Sequence, residues 1–144
     1  MDPITRHHLQ NLANQQTVSV EREDGGVDVQ SVFTVIEGVG PDEEGNEIHM
    51  LFPTIWDGRA LSNKEAKQKA IDSGIKWPTD TDPDKLNLLD QQIHEGFNSF
   101  VPIFEDGKFN EEDVARRAKE ILKLLEDAPE KPLDSDTSMS NSFF

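Results

Sequence analysis

Residues 51–62 read LFPTIWDGRALS and combine the end of a strand, a turn and the start of a helix. Pro53 is expected to end the strand, because proline has no N–H group to donate to a sheet ladder. The Asp57-Gly58 pair then predicts a turn in which the glycine takes a positive φ, since it has no Cβ to clash with the backbone. A short extended return follows this turn and leads into a helix.

The helix start is marked by Ser62 and Glu65, which have the spacing of a capping box. In that motif the serine hydroxyl accepts from the N3 amide, and the glutamate accepts from the serine amide. Gly74 predicts the helix end as a C′ residue with positive φ. We expect the helix to expose Lys64, Lys67 and Gln68 and to bury Ala66, Ala70 and Ile71.

Upstream of this stretch, apolar residues alternate with polar ones, a spacing typical of half-buried strands. Between residues 18 and 36 the alternation is interrupted at 24–26 by the sequence DGG, which predicts a hairpin turn. A second turn, rich in glycine and acids, covers residues 38–46, and residues 47–52 return from it. The pattern therefore predicts a three-stranded antiparallel meander.

Two more helices are predicted downstream. Asp82-Pro83 is the N-cap and N1 pair that starts the first of them. Its apolar stripe consists of Leu86, Leu89, Ile93 and Phe97. Gly96 is expected to interrupt that stripe, and the next helix has Asn110 as its cap with acids in its first turn. The apolar face of this last helix consists of Val114, Ala118, Ile121, Leu122 and Leu125.

These patterns divide the chain into three parts. Residues 1–16 form an N-terminal arm or a short helix, with Asp2 as N-cap and Pro3 at N1. Residues 17–127 form a single α+β domain, a small antiparallel sheet of about three strands covered by two or three helices. Residues 128–144 lose the apolar periodicity and are expected to be a flexible tail, so that both termini of the fold are flexible.

Residues 53–59 and residues 102–108 share a sequence pattern, which we call the internal repeat. Each segment has a proline, an apolar residue and then Asp-Gly followed by a basic residue, and each precedes a predicted helix. A duplicated turn-and-helix unit and two ordinary turns both account for this pattern.

Composition excludes several classes of protein. The chain has 144 residues, with 29 Asp and Glu against 14 Lys and Arg, and a formal charge of −15. Proteins that coat duplex nucleic acid place Lys and Arg against phosphates, so this charge argues against direct nucleic-acid binding, and an anionic membrane repels it too. No apolar run approaches the roughly 18 residues of a membrane span. The start Met1-Asp2-Pro3 lacks the basic and apolar regions of a signal peptide, so we expect no Sec export.

No catalytic or metal-binding constellation stands out in the sequence. The absence of Cys excludes disulfides, thiolate catalysis and cysteine-based metal sites. His49 is expected on the solvent face of a strand, and no two histidines have metal-ligand spacing. Asp80, Asp82 and Asp84 alternate like the start of a calcium loop, but the Gly and Glu that such a loop requires further on are missing. We therefore predict a non-enzyme without metal or cofactor, in which Asp82 caps a helix.

Three large aromatic residues, Phe52, Trp56 and Trp77, surround the turns at Pro53 and Pro78. One interpretation is that they hold these turns against the following helix, which contributes burial energy to a thin core. The alternative is that an exposed ring anchors a partner protein.

The string from residue 51 to residue 78 resembles a small module of tailed-bacteriophage virion-associated proteins. That module has a strand ending in Pro-Thr-apolar-aromatic-Asp/Asn-Gly-Lys/Arg, then a helix with Glu-Ala and a Ser/Thr-Gly-x-x-aromatic-Pro exit. The matching positions are Pro53, Thr54, Trp56, Asp57, Gly58, Ser62, Glu65, Gly74, Trp77 and Pro78. Ile93-His94 matches a Leu/Ile-His pair near the end of the second helix in that family, so the resemblance covers roughly residues 30–96. It assigns no catalytic residue, and the matching positions are expected to determine the fold.

The resemblance implies a non-enzymatic virion structural or accessory protein. Members of the family occur as small separate chains and as segments of large internal, tail or lysozyme-like virion proteins. The expected partners are other virion proteins, including copies of this chain in a symmetric ring or array. The expected location is the virion, and the host cytoplasm during assembly, whereas the position in head, neck, tail or interior stays open.

Two segments depart from the family pattern and are the candidate partner-binding sites. The first is the acidic turn with Asp42, Glu43 and Glu44. The second is the C-terminal tail, in which Phe143 and Phe144 end an otherwise polar segment and would gain from burial in a partner's pocket. The other interpretation of these two rings is a frayed chain end.

The alternative function is a small acidic phage regulatory protein that binds a host or phage nucleic-acid enzyme. It would act as a mimic of DNA or by docking its tail, because an acidic segment ending in Phe resembles the C-terminal tips of single-stranded-DNA-binding proteins. Mass spectrometry of purified particles distinguishes the two functions, since only the virion component remains in the particle.

Overall fold

The computed structural model describes residues 2–97 and 111–127, which form an α+β fold of helices and short antiparallel strands. The helices are α1 (Pro3–Ala13), α2 (Asn63–Asp72), α3 (Pro83–Phe97) and α4 (Glu111–Asp127). The strands are β1 (Val18–Glu21), β2 (Val27–Gln30), β3 (Thr34–Pro41), β4 (Glu47–Pro53), β5 (Ile55–Trp56), β6 (Arg59–Ala60) and β7 (Thr79–Asp80). Within these ranges, no helix is long and apolar enough to cross a bilayer.

The central sheet is three-stranded, but the predicted meander was wrong about its third strand. Its order is β3-β4-β7, whereas β1 and β2 form a separate hairpin, as do β5 and β6. The edge of β4 is paired by β7, where His49 lies opposite Asp80 and Met50 opposite Thr79. The Leu51 amide extends this pairing by donating to the Pro78 carbonyl at 2.9 Å.

The sequence pattern predicted one continuous strand here, but β2 and β3 are separate strands with a short segment between them. The Ser31 carbonyl accepts from the Asn11 side chain at 2.7 Å, and the Phe33 carbonyl accepts from the Thr54 amide at 2.7 Å. These two bonds hold the segment between β2 and β3 against α1 and the end of β4. The chain therefore leaves the β1–β2 hairpin before it joins the central sheet.

α2 begins and ends where the sequence predicted. Ser62 and Glu65 form the reciprocal capping box, and Gly74 follows the helix with a φ of +71°. Ala66 and Ala70 are fully buried, as expected, but Ile71 is 51% exposed, so its predicted burial was wrong. It lies one residue beyond Ala70, which turns its side chain by about 100° away from the core face.

α3 has the predicted cap and stripe. The Asp84 amide donates to Asp82 Oδ1 at 2.9 Å. Of the predicted stripe, Leu86, Ile93 and Phe97 are buried and Leu89 is partly buried. The helix continues through Gly96 to Phe97, so the predicted interruption at Gly96 was wrong.

α1 forms as predicted, with Asp2 Oδ1 accepting from the Thr5 amide at 2.8 Å, but it lies inside the fold. Ile4 belongs to the main core together with sheet and α2 residues. Leu9 and Leu12 form a second cluster with α4. The boundary expected between residues 16 and 17 therefore divides one packed unit, because α1 contributes to both clusters.

α4 buries Val114 and Ala118 against α1, in line with its predicted apolar face. That face ends at Leu122, which packs against the cluster, since Leu125 is 37% exposed. Three predictions lie outside the described residues: the cap at Asn110, the second copy of the internal repeat at 102–108 and the tail at 128–144.

Candidate functional site

The motif residues that follow β4 bond to the chain's own backbone. Trp56 Nε1 donates to the Pro53 carbonyl at 2.8 Å, and Trp77 Nε1 donates to the Ala70 carbonyl at 3.1 Å. Thr54 donates from its hydroxyl to the Phe33 carbonyl at 3.1 Å. Phe52 and Trp77 are buried, whereas Trp56 is only half-buried.

Two polar side chains of α1 converge on one carbonyl of β5. His7 Nε2 lies 2.7 Å from the Ile55 oxygen, and Asn11 Nδ2 donates to the same oxygen at 3.2 Å. Because a carbonyl only accepts, His7 must carry its proton on Nε2. His7 Nδ1 and Asn11 Oδ1 are therefore the acceptors that these two side chains retain.

The His7 ring also contacts both tryptophan rings. Its ring centroid is 4.5 Å from that of Trp56 and 6.0 Å from that of Trp77. The two indole rings meet edge to face at 6.0 Å. Burial lowers the pKa of His7 below its ordinary value, against the opposing effects of the Ile55 carbonyl and Asp57. His7 is thus neutral at neutral pH.

A pocket of about 230 Å³ opens beside this group, and we refer to it as the Trp56 pocket. Its lining residues are His7, Gln10, Asn11, Asn14, Gln16, Trp56 and Asp57. Asp57 Oδ2 lies 3.2 Å from Lys69 Nζ in an exposed ion pair. A second depression of about 260 Å³ shares His7 and Gln10 with the Trp56 pocket and is lined by Trp77 on its far side.

Two residues at the rim of the Trp56 pocket have a positive φ. Gln15 and Asp57 each have a φ of +54°, and they are the only non-glycine residues with positive φ in the described part of the chain. Gln15 is the C′ residue of α1, and Asp57 with Gly58 forms the two-residue turn of the β5–β6 hairpin, so each has the φ that its turn type requires. The two turns face each other, because a Cβ on Gly58 would lie 3.8 Å from Gln16 Cα.

Gly58→Val should lower the free energy of unfolding by about 1–3 kcal/mol, because valine is strained at the observed φ of +77°. Urea unfolding of the variant measures this loss. Arg59→Val is the matched control, since it places the same side chain at the next, exposed position with ordinary strand geometry. Equal stability of the two variants would contradict a φ requirement at Gly58. The corresponding expectation for Gly107 lies outside the described residues.

A second polar group, centred on His8, is sealed inside the fold. His8 Nδ1 lies 2.5 Å from Ser31 Oγ, and the His8 ring stacks on Phe97 at 4.2 Å. His8 Nε2 is the only buried side-chain nitrogen or oxygen of the described residues without a hydrogen-bond partner. Burial, with smaller contributions from His94 and His7, lowers the pKa of His8 to about 4.

The His8–Ser31 pair has the spacing of a base and a nucleophile, but it is structural. His8 is 1% and Ser31 3% exposed, so neither atom of the pair meets a substrate in this conformation. A catalytic base also needs a third group on its second nitrogen, and His8 Nε2 has none.

The acidic residues singled out from the sequence serve mainly as turn and cap residues. Asp42 Oδ1 accepts from the Glu44 and Asn46 amides at 2.9 Å each, so Asp42 holds the β3–β4 turn. Glu43 and Glu44 are exposed on that turn. Asp80 Oδ1 accepts from the Asp82 amide at 2.9 Å. Within residues 2–97 and 111–127, no three His, Asp or Glu side chains come together as a metal site.

The remaining predicted residues do not join a common site. His49 lies on β4 and is half-buried, although we expected it on the solvent face of that strand. Phe143 and Phe144 lie outside the described residues. Sequence reasoning missed His7 and Asn11, although their separation of four residues places them on one face of the predicted first helix.

Comparisons with known proteins give no match: no family model, no curated protein and no solved structure is significantly similar to this chain.

Proposed function

We propose that the chain is a non-enzymatic bacteriophage virion structural or accessory protein that binds other virion proteins through its loops and terminal segments. The resemblance of residues 51–78 to the phage module is the reason for the phage assignment. Copies of this chain, arranged in a ring or array, are among its partners. Its location is the virion, and the host cytoplasm during assembly.

The observation that supports this proposal is that the motif residues form hydrogen bonds within the fold itself. Trp56, Trp77 and Thr54 bond to backbone carbonyls, and Ser62 with Glu65 caps α2. The motif thus specifies a scaffold, as expected for a module that recurs in virion proteins of different size. Binding to partners then falls to the exposed loops that differ between proteins with the same scaffold.

The acidic β3–β4 turn is one such loop. Glu43 and Glu44 are exposed there, and the chain carries a net charge of −15. Complementary charge on a partner mainly increases the rate of association and the specificity. A partner with a basic surface is therefore the expected counterpart, and its association should slow at high salt. Phe143 and Phe144 are the second proposed contact, as aromatic anchors of the C-terminal segment.

The test is mass spectrometry of purified phage particles and of the infected-cell lysate freed of particles. We expect the chain in the particles at a fixed ratio to the major capsid protein, through repeated density gradients. Its presence only in the lysate, bound to a polymerase, nuclease or other nucleic-acid enzyme, would overturn the proposal in favour of the acidic regulator.

Variants separate the two proposed contacts. Glu43→Gln with Glu44→Gln should reduce incorporation of the chain into particles, and so should Phe143→Ala with Phe144→Ala. Lys64→Gln with Glu95→Gln, two exposed changes on α2 and α3, serves as the control. Full occupancy of both test variants in purified particles would rule out these segments as the anchors.

A further inference from the structure

We propose that the Trp56 pocket binds one neutral pyranose ring of a saccharide, a binding activity that does not depend on the virion assignment. The pocket combines a half-buried indole with side-chain amides and one carboxylate. The electron-rich face of an indole attracts the polarised C–H groups on the flat side of a sugar ring. The surrounding polar groups match the hydroxyls at the ring's edge.

The polar wall of the pocket is held in place before any ligand arrives. The Ile55 carbonyl accepts from both His7 and Asn11, and Asn11 also donates to the Ser31 carbonyl. Both side chains are at most 7% exposed, so their packing fixes them as well. His7 Nδ1 and Asn11 Oδ1 then accept hydrogen bonds without the entropy cost of ordering a mobile side chain.

The charges at the pocket favour a neutral ligand. Asp57 is the only acid among the described residues that line the pocket, and Lys69 pairs with it at 3.2 Å. A cationic ligand would have to compete with that lysine, and an anion would face the carboxylate. Gln10, Asn14 and Gln16 each offer an N–H donor and a C=O acceptor, which suits hydroxyls that donate and accept together.

The rim of the pocket is formed by two local connections whose positive φ values are those that their turn types require. The positive φ at Gln15 lies between the lining residues Asn14 and Gln16, and the positive φ at Asp57 follows Trp56. The first is the C-terminal cap of α1, and the second is the turn of the β5–β6 hairpin, so both connections border one pocket. Backbone hydrogen bonds within these connections hold the rim in place before a ligand arrives.

The size of the pocket indicates one ring at a time. Its volume of about 230 Å³ lies below the roughly 300–1,000 Å³ of pockets for drug-sized ligands. The neighbouring depression shares His7 and Gln10 and is lined by Trp77, Arg6 and Lys76. A second sugar unit of a longer chain has room there, so the ligand is either a free monosaccharide or one unit of an oligosaccharide.

Nuclear magnetic resonance of the ¹⁵N-labelled protein tests the proposal, because the chain has just two tryptophans and hence two indole N–H signals. The probes are glucose, galactose, mannose and N-acetylglucosamine, with maltotetraose and chitotetraose as oligosaccharides. At least one monosaccharide should shift the Trp56 indole signal with a dissociation constant of about 1–10 mM. A tetrasaccharide that binds about tenfold more tightly and shifts the Trp77 signal too indicates an oligosaccharide, whereas equal affinity indicates a free sugar.

Gln10→Ala with Asn14→Ala should weaken the binding at least about fivefold, with an unchanged melting temperature because both residues are exposed. Gln92→Ala, an exposed amide on α3 away from the pocket, is the matched control and should bind as the native chain does. The proposal is overturned if no probe shifts the Trp56 signal more than glycerol does. It is equally overturned if the double variant binds normally, or if arginine methyl ester shifts the signal more strongly than every sugar.

Discussion

Lowering the pH from 7 to about 4 should destabilise the protein by up to about 3 kcal/mol through His8 alone, because its pKa falls from 6.5 to about 4 on folding. The unfolded chain takes up a proton at His8 near the ordinary value of 6.5. The folded protein resists that proton until about pH 4, since the ring is buried between Ser31 and Phe97 and Nε2 has no partner. The stabilisation is therefore complete above pH 6.5 and is lost as the pH falls from 6.5 towards 4.

Other histidines modify this pH dependence in known directions. Burial lowers the pKa of His7, which adds a further loss of stability as the pH falls below 6.5. The hydrogen bond to Asp90 raises the pKa of His94, so the stability from that pair is present below pH 6.5 and is lost as the pH rises. The contribution of His94 to the pH dependence of stability is thus opposite in sign to that of the two buried histidines.

Urea unfolding at several pH values between 4 and 8 measures the effect. In His8→Asn the side-chain amide takes the place of Nδ1 near Ser31 and does not titrate, so its stability should depend on pH much less than that of the native chain. The comparison between the two chains removes the contribution of the carboxylates, which both share. An identical pH dependence in His8→Asn and the native chain would show that His8 does not resist protonation in the fold.

Leu9→Ala should lower the free energy of unfolding by about 2–5 kcal/mol, the usual range for a fully buried leucine. Leu9 is 0% exposed and packs in the cluster that joins α1 to α4. The loss combines the transfer energy of the removed methyl groups with the cavity that they leave. A loss of this size means that α1 belongs to the folded unit.

Ile71→Ala is the matched control for Leu9→Ala. It removes a similar side chain from a helix, but Ile71 is 51% exposed, and surface substitutions usually change stability by less than about 0.5 kcal/mol. Thermal or urea unfolding of both variants gives the comparison. If Leu9→Ala were as stable as Ile71→Ala, α1 would be an appendage, as the sequence alone allowed.

The sequence by itself determined the elements whose hydrogen bonds close within a few residues. The capping box of Ser62 and Glu65, the Asp82 cap and the positive φ at Gly58 all formed as predicted. Each depends on side chains three or fewer positions apart, or on one residue's own backbone, so spacing alone reveals it. The α+β class followed in the same way, from the apolar periods of the strands and helices.

Only the tertiary structure decided which distant residues meet. β7 pairs with the second edge of β4, and β1 pairs with β2 outside the central sheet, although the apolar strand pattern is also compatible with a meander. His7, His8 and Asn11 are buried polar residues whose partners lie 48, 23 and 44 residues away, at Ile55 and Ser31. Polar residues on a short N-terminal helix look solvent-exposed in a sequence, since nothing local supplies those partners. The Trp56 pocket exists because the fold brings α1 and the β5–β6 turn together, and packing over such separations is a property of the whole chain.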